Sequence, residues 1–400
     1  MRKTVISING KSGPVDSPEV VPNLTSLFSV RNILGFDTKV KSGEAIQSIG
    51  SSRVMYTSGN AVVIFSLITK KQTIIPPTEG ALSLECVRAS ANGRFVAVSE
   101  STAGFGLITV YEVKNEEVKL RKHLLIKDAP QLNFTHLLFH PSDPKYLIAV
   151  ADCSVFVWEW EKSKVKKFGE LTGLQAVRGI FFSLNDPNVL FCYGSSDKNL
   201  CPIRAYSLDV ETSDPVALKT DGIKDYIKIY TRSFKLHVNL FDGSAILVTE
   251  NDELLLLNSQ GEIKFKVPVE ESQRVSFKSG APLGSGFILA GNSSTMLHFE
   301  MQNREIKKPF SSTPLDILRS EDIETDIVGM TLVEGHTMVV IGALGEILQL
   351  SLQKAKQRVE FLVAKDTFSP SEIIDIAVCE NKPIVAYAST DRTVRIWNYH

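Results

Sequence analysis

An excess of charge of either sign is missing from this 400-residue chain: 44 Lys and Arg stand against 45 Asp and Glu, a net charge of −1. Nonspecific nucleic-acid binding draws on a large basic surplus to displace counterions from phosphates, so composition argues against that class of partner. Apolar runs are short. None approaches the ~18 residues of a membrane-spanning helix, and after Arg2 and Lys3 the stretch Thr4-Val5-Ile6-Ser7-Ile8-Asn9-Gly10 is too interrupted for the core of a signal peptide. Cysteine is scarce and odd in number: Cys86, Cys153, Cys192, Cys201 and Cys379 sit mostly inside apolar segments, where free thiols act as small hydrophobes and a reducing, cytosolic setting fits. The sequons at Asn23 and Asn292 carry no weight in such a setting.

Signatures of chemistry are equally thin. Gly10-Lys11-Ser12 ends like a phosphate loop, but Val5 stands where the leading glycine is required. The glycine-rich run Gly280 to Gly286 carries Pro282 and is followed by no helix, so a strand-connecting turn is expected rather than a dinucleotide cradle. There is no Cys-x-x-Cys and no His-Glu-x-x-His. His136 and His140 are four apart on a strand that runs into Pro141, which does not bring two imidazoles onto one metal ion. The nucleophile elbow Gly-x-Ser-x-Gly is absent. Paired acids such as Glu116-Glu117, Glu270-Glu271 and Glu321-Asp322 fall in expected turns, as solvated charge does. The reading is of a protein that is not an enzyme and takes no cofactor, metal or small-molecule substrate. A catalytic centre at the hub of the fold remains the outlying alternative.

What the chain does contain is a repeat. Its sharpest copy is Thr390-Asp391-Arg392-Thr393-Val394-Arg395-Ile396-Trp397-Asn398-Tyr399, preceded by the strand Pro383 to Ser389: two antiparallel strands joined by a polar turn, as in one hairpin of a WD-type blade. Further copies follow the same plan of strand, polar turn, very apolar strand, second turn and a strand ending in an aromatic. Asn92-Gly93-Arg94-Phe95-Val96-Ala97-Val98-Ser99 with Leu107 to Tyr111 is one; Phe139 to Ala149 with Ser154 to Trp158 is another. The fourth unit repeats the turn as Asn185-Asp186-Pro187, while units five to seven rest on alternation alone. Starts near Ile46, Leu82, Phe134, Val177, Phe234, Val275, Ile327 and Ile373 are spaced by about 47 residues, close to a four-stranded unit with insertions.

The expected fold is therefore all-β, a WD40-type β-propeller of seven or eight four-stranded blades occupying residues 24–400 behind a flexible tail of residues 1–23. Leu27 to Leu34 reads as a lone strand, expected near 26–34 to complete the last blade and close the ring. In that last blade Ser389, Asp391 and Trp397 match three members of the hydrogen-bond network that ties WD blades together, and a structural role is expected of them. Four segments break the rhythm: the tail before Leu24, Ser195 to Cys201, Thr212 to Lys224, and Met301 to Asp326. The last, with Lys307 and Lys308 followed by Glu321 and Asp322, is the candidate partner loop.

The terminal run Asn381 to Ala386 with Thr390 to Tyr399 resembles the cilia- and flagella-associated WD-repeat family. Ala81-Leu82-Ser83-Leu84, Asn92 to Glu100, Ile108 to Glu112 and Trp158-Glu159-Trp160-Glu161-Lys162 agree with it in the same order, across roughly residues 26–399. The resemblance implies a noncatalytic scaffold of the ciliary or flagellar axoneme. Its implied partners are axonemal proteins, namely inner dynein arm or nexin–dynein regulatory complex components, with neither nucleic acid nor membrane. Family members pair two propellers with a long coiled coil, and this chain has neither a second propeller nor a heptad run. The alternative is a cytosolic WD40 adaptor that reads a short peptide at the channel mouth, in ubiquitin ligation or trafficking.

Overall fold

The computed structural model describes residues 33, 45–114, 116–125, 132–170, 174–195, 203–207, 216–217, 233–259, 261–270, 273, 275–301, 310–315, 326–343, 346–352, 358–362, 373–390 and 392–398. These form eight antiparallel sheets, each built from consecutive strands paired in sequence order. Seven have four strands and the eighth has three. Their first strands are Ile46–Ile49, Ala81–Ala89, Phe134–Phe139, Ala176–Phe182, Phe234–Asn239, Phe277–Leu283, Ile327–Glu334 and Ile373–Val378, against the expected starts near 46, 82, 134, 177, 234, 275, 327 and 373. This is the all-β, WD40-type propeller architecture.

Strand alternation decides which sheet touches which. In the second strand of sheet one, Val54 and Tyr56 point one way, into a cluster with Val339, Ile341 and Ile347 of sheet seven. Met55 points the other way, into a cluster with Val87, Val96 and Val98 of sheet two. A period of two thus serves two neighbours at once. Sheets two and three share a cluster, as do three and four, four and five, five and six, and six and seven. With the pairs one–two and one–seven, seven clusters join seven sheets around a ring. First strands pack against the first strands of their neighbours all the way round, including Ile46–Ile49 against Ile327–Glu334, so they are innermost.

Sheets sandwiched on both faces need strands that are apolar on both sides, which is why Leu254–Leu257 and Tyr146–Ala151 are buried at every position. Large side chains fill the wedges between sheets. Trp158, 1% exposed, meets Phe134 edge-on at 5.4 Å between ring centroids, and Phe287 stacks on Phe299 at 4.6 Å. Each such burial contributes on the order of 1.5–3 kcal/mol.

The eighth sheet differs. Ile373, Ile374, Ile376, Val378, Val394 and Ile396 are exposed, from 45% at Ile373 to 71% at Ile396. None of the seven interfacial clusters includes a residue of it. The ring among the described residues therefore closes by packing of sheet seven on sheet one. Of the closing strand expected near 26–34, only Ile33 is described. Its N–H donates to Gln72 Oε1 at 2.7 Å and its carbonyl accepts from Gln72 Nε2 at 2.9 Å, on the fourth strand of sheet one.

Two expected loops contain strands. Phe310–Pro314 lies inside the stretch Met301 to Asp326 and pairs with Met296–Met301 as the outer strand of sheet six. Val216–Ala217 lies inside Thr212 to Lys224 and completes sheet four. Both were hidden because outer strands are half solvated and carry no apolar run.

Candidate partner-binding surfaces

Ser389 ends the second strand of sheet eight, 3% exposed, and its backbone shapes the following turn. Its N–H donates to the Thr393 carbonyl and its own carbonyl accepts from the Arg392 N–H, both at 3.1 Å, with Arg392 at φ 66°. Trp397 lies on the adjacent strand Val394–Asn398, its backbone opposite Val385. Asp391 lies outside the described residues, so the expected three-member network is placed only as two neighbouring strands. Lys307, Lys308, Glu321 and Asp322 also lie outside them. His136 and His140 sit on and just beyond the first strand of sheet three, 5% exposed each, with His140 packed edge-on against Phe182 and Tyr146. Among the described residues no three His, Cys, Asp or Glu side chains converge as metal ligands would.

The glycine-rich run does serve a turn, and more. Gly284, at φ 55°, makes the tight reversal into Gly286–Gly291, while a Cβ on Gly280 would stand 2.5 Å from the Val238 side chain of sheet five. The missing side chain lets two innermost strands approach.

At one end of the channel, where the first strands begin, basic side chains are matched with acids from the sheet-edge turns. Arg178 pairs with Glu250 at 2.6 Å, Lys235 with Asp252 at 2.5 Å, and Lys278 with Asp326 at 2.5 Å. All three cations occupy the extra residue of a β-bulge, which turns the side chain out of the alternating pattern. Asp252 also accepts from the Phe277 N–H at 2.8 Å, and Asp326 from the Ser293 N–H at 3.1 Å, so these turns stitch neighbouring sheets together.

The opposite end is a cup. A cavity of about 740 Å³ opens where the first strands turn into the second strands of sheets one, two, five, six and seven. Gln47, Arg88, Phe241, Pro282, Met330 and Leu332 are among its lining residues, and no carboxylate is. Phe241 is 64% exposed at the rim, and Leu184, in the corresponding turn of sheet four, is 52% exposed. Two imidazoles, His136 and His237, stand mid-strand on the first strands of sheets three and five and are not among the lining residues of the cavity. His136 shares a hydrogen bond with Thr135 Oγ1 at 2.9 Å; His237 shares one with the Tyr193 hydroxyl at 2.9 Å and stacks on Phe181 at 4.4 Å. Burial, and then the charges of Arg88 and His136, push the His237 pKa down to about 3, so it is neutral at pH 7.

The rim of the cup is rigid. Gln47 Nε2 donates to the Val87 carbonyl at 2.8 Å while its Oε1 accepts from the Ala89 N–H at 3.1 Å. Gly93, at φ 64°, lies so near the turn of sheet one that a Cβ would stand 2.7 Å from the Gly50 nitrogen. Asn185 Nδ2 donates to the Asp242 carbonyl at 3.3 Å, and Ser183 Oγ to the Ser259 carbonyl at 3.3 Å, tying the turns of sheets four and five. Sequence reasoning missed this cup because its members come from five repeats. The signal that could have found it is the alignment of repeats, which places Gln47, Arg88, Pro282 and Met330 each on a first strand.

Comparison with known proteins returns the family suggested by the repeats. No protein-family profile matches the chain. It is 22% identical over 436 residues to cilia- and flagella-associated protein 57 A of Tetrahymena thermophila, covering 93% of this chain and 33% of that protein. It is 22% identical over 394 residues to cilia- and flagella-associated protein 57 of Mus musculus, covering 86% of this chain and 31% of the mouse protein. Cilia- and flagella-associated protein 57 C of Tetrahymena thermophila gives 19% identity over 94% of this chain. The relationship is distant and consistent, and the chain spans about a third of the length of these curated relatives. Among solved structures, Sqt1 of Saccharomyces cerevisiae superposes with a TM-score of 0.54 at 13% identity, over 92% of this chain and 99% of Sqt1, a likeness of fold.

Proposed function

We propose that this chain is a noncatalytic WD-repeat scaffold of a cilium or flagellum, acting in the axoneme to hold protein partners at fixed separations. The observation that carries this reading is the extent of the similarity: three proteins named as cilia- and flagella-associated match 86–94% of the chain. The mechanism is positional. Sheets wedged between neighbours fix the turns at both ends of the channel, so a partner that docks on several turns loses little free energy to ordering them. The finer reading places the chain with inner dynein arms, near the nexin–dynein regulatory complex, and gives the segment Met301 to Asp326 a partner contact.

The test is localisation followed by proximity labelling in a flagellated cell. Axonemal signal with labelled dynein-arm components supports the scaffold, and losing those components on deletion of residues 315–325 assigns the contact. A diffuse cytosolic signal overturns it. That outcome would favour the second reading, a cytosolic peptide-binding adaptor, for which the cup at the channel mouth is the supporting observation.

A further inference from the structure

One outer strand of the ring stands apart by length and by charge. Glu117–Leu124 of sheet two runs for 8 residues, against 7 at Lys164–Glu170 of sheet three and 5 or fewer in sheets one, four, five, six and seven. It pairs with Gly106–Lys114 on one side, and no described strand pairs with the other. That far edge leaves a row of backbone N–H and C=O groups without a ladder partner.

The strand carries Lys119, Arg121 and Lys122 against the single acid Glu117. Arg121 shares the Glu112 carboxylate with Arg94. Among the described residues Lys119 and Lys122 meet no carboxylate, and neither does Lys164, exposed just beyond the turn Trp160–Lys162 that lies against this strand. Outer-strand lysines are not bare by default: in sheet five Lys264 meets Glu262 at 2.9 Å and Lys266 meets Glu253. Register gathers the two bare lysines on one face. Lys119 lies opposite Glu112 and Lys122 opposite Val110, because a bulge at Arg121 absorbs the residue that would have put them on opposite sides. Val110 belongs to the cluster shared with sheet three, so the lysines face that sheet. Leu120, opposite Tyr111, is 48% exposed on the other face.

We propose that the far edge of Glu117–Leu124 is a docking site for an extended acidic segment of a partner protein, which adds to sheet two as a fifth strand. Asp or Glu side chains of that segment fall beside Lys119 and Lys122, and an apolar residue on its other face covers Leu120.

An open ladder edge selects a polypeptide, since only a backbone offers N–H and C=O groups at the strand repeat. Lipid headgroups and nucleic acids offer charge alone. The lysines then select the sign: opposite charges attract across a strand pair and like charges repel. Edge lysines guard a sheet against pairing with basic or neutral strands, and an acidic strand is the partner against which that guard fails. The edge is also preformed. Gly106–Lys114 behind it is buried but for its last residue, and Arg94 and Arg121 clamp Glu112 between the strands, so docking orders little that is not already ordered.

The proposal goes beyond the scaffold reading and holds wherever the protein resides. It is tested on the purified full chain with fluorescein-labelled octapeptides alternating Glu and Val, read by anisotropy. Two controls carry Thr or Lys in place of Glu, and a third keeps every Glu but is N-methylated throughout, which removes the ladder donors and retains the charge. The acidic peptide is expected to bind on the order of tenfold tighter than any control, to weaken as salt rises from about 50 to about 500 mM, and to slow amide exchange within residues 117–124. Lys119→Gln with Lys122→Gln is expected to lower its affinity on the order of tenfold. Lys264→Gln with Lys266→Gln, on the outer strand of sheet five, should leave it in place. The methylated peptide is read on the parent protein, so the test stands should the first double variant fold poorly. Equal binding of the Thr or methylated peptide, preference for the Lys peptide, undiminished binding by the folded Lys119→Gln, Lys122→Gln protein, or protection of a different strand would overturn the proposal. Phosphatidylserine vesicles or an oligothymidylate bound as tightly as the acidic peptide would overturn it too, and assign a general polyanion surface. Axonemal localisation without peptide selectivity would sink this proposal alone, and selectivity with a diffuse cytosolic signal the scaffold reading alone.

Discussion

Gln47 brackets Arg88 across the boundary between the first two sheets, its carboxamide bonded to the residues immediately before and after it. Replacing Gln47 with Ala strands a partly buried carbonyl and a partly buried N–H at once, and each orphan costs about 1–3 kcal/mol. Gln47→Glu keeps an acceptor for Ala89 but sets a carboxylate against the Val87 carbonyl. Both variants are expected to melt below the parent protein, and equal melting temperatures would show that water replaces the bracket.

Gly93 is required twice, by its φ of 64° and by the Gly50 nitrogen 2.7 Å from where a Cβ would stand. Gly93→Ala is expected to cost about 2 kcal/mol or more, since both left-handed backbone and a backbone clash oppose it. Gly104→Ala is the control, with nothing within 4 Å and no positive φ, and should leave the denaturant midpoint in place.

His237 makes stability depend on pH in a defined direction. Its folded pKa of about 3 lies below the unfolded value near 6.5, so between these limits the unfolded chain binds a proton that the folded chain does not. Its contribution is complete above about pH 6.5 and is lost as pH falls toward 3, at up to ~1.4 kcal/mol per pH unit. His237→Gln retains a partner for the Tyr193 hydroxyl and removes the titration. The drop in stability from pH 7 to pH 5 should be smaller in this variant by on the order of 2 kcal/mol; an identical drop would show that other groups govern acid sensitivity.

The eighth sheet lies outside the seven shared clusters, so deleting residues 373–400 should leave the melting temperature of the ring where it is. Light scattering at high concentration should fall, because Ile374, Ile376, Val394 and Ile396 leave with the sheet. A large drop in melting temperature would mean that the sheet supports the ring.

The strands themselves were legible in the sequence, because alternation and polar turns are local signals. Phe134–Phe139 and Ile327–Glu334 begin where the pattern places them. Closure was not legible. The strongest WD-type motif, around Trp397, belongs to the sheet that, among the described residues, shares none of the seven clusters, since a motif written in a single hairpin says nothing about what lies beside it. Tyr56 meeting Val339 is a relation between residues far apart in the chain, set by the wedge angle between sheets. The cup was hidden for the same reason: Gln47, Arg88, Pro282 and Met330 come together only once the ring exists.

The seam between sheets one and seven has a temporal consequence. Ile46 and Tyr56 leave the ribosome early, yet the side chains that cover them, Val339 and Ile341, are translated almost three hundred residues later. Throughout that interval the flank of the newborn first sheet is bare and adhesive. Chaperone capture during synthesis is therefore expected to concentrate on nascent chains that stop short of the seventh sheet and to subside once that sheet emerges.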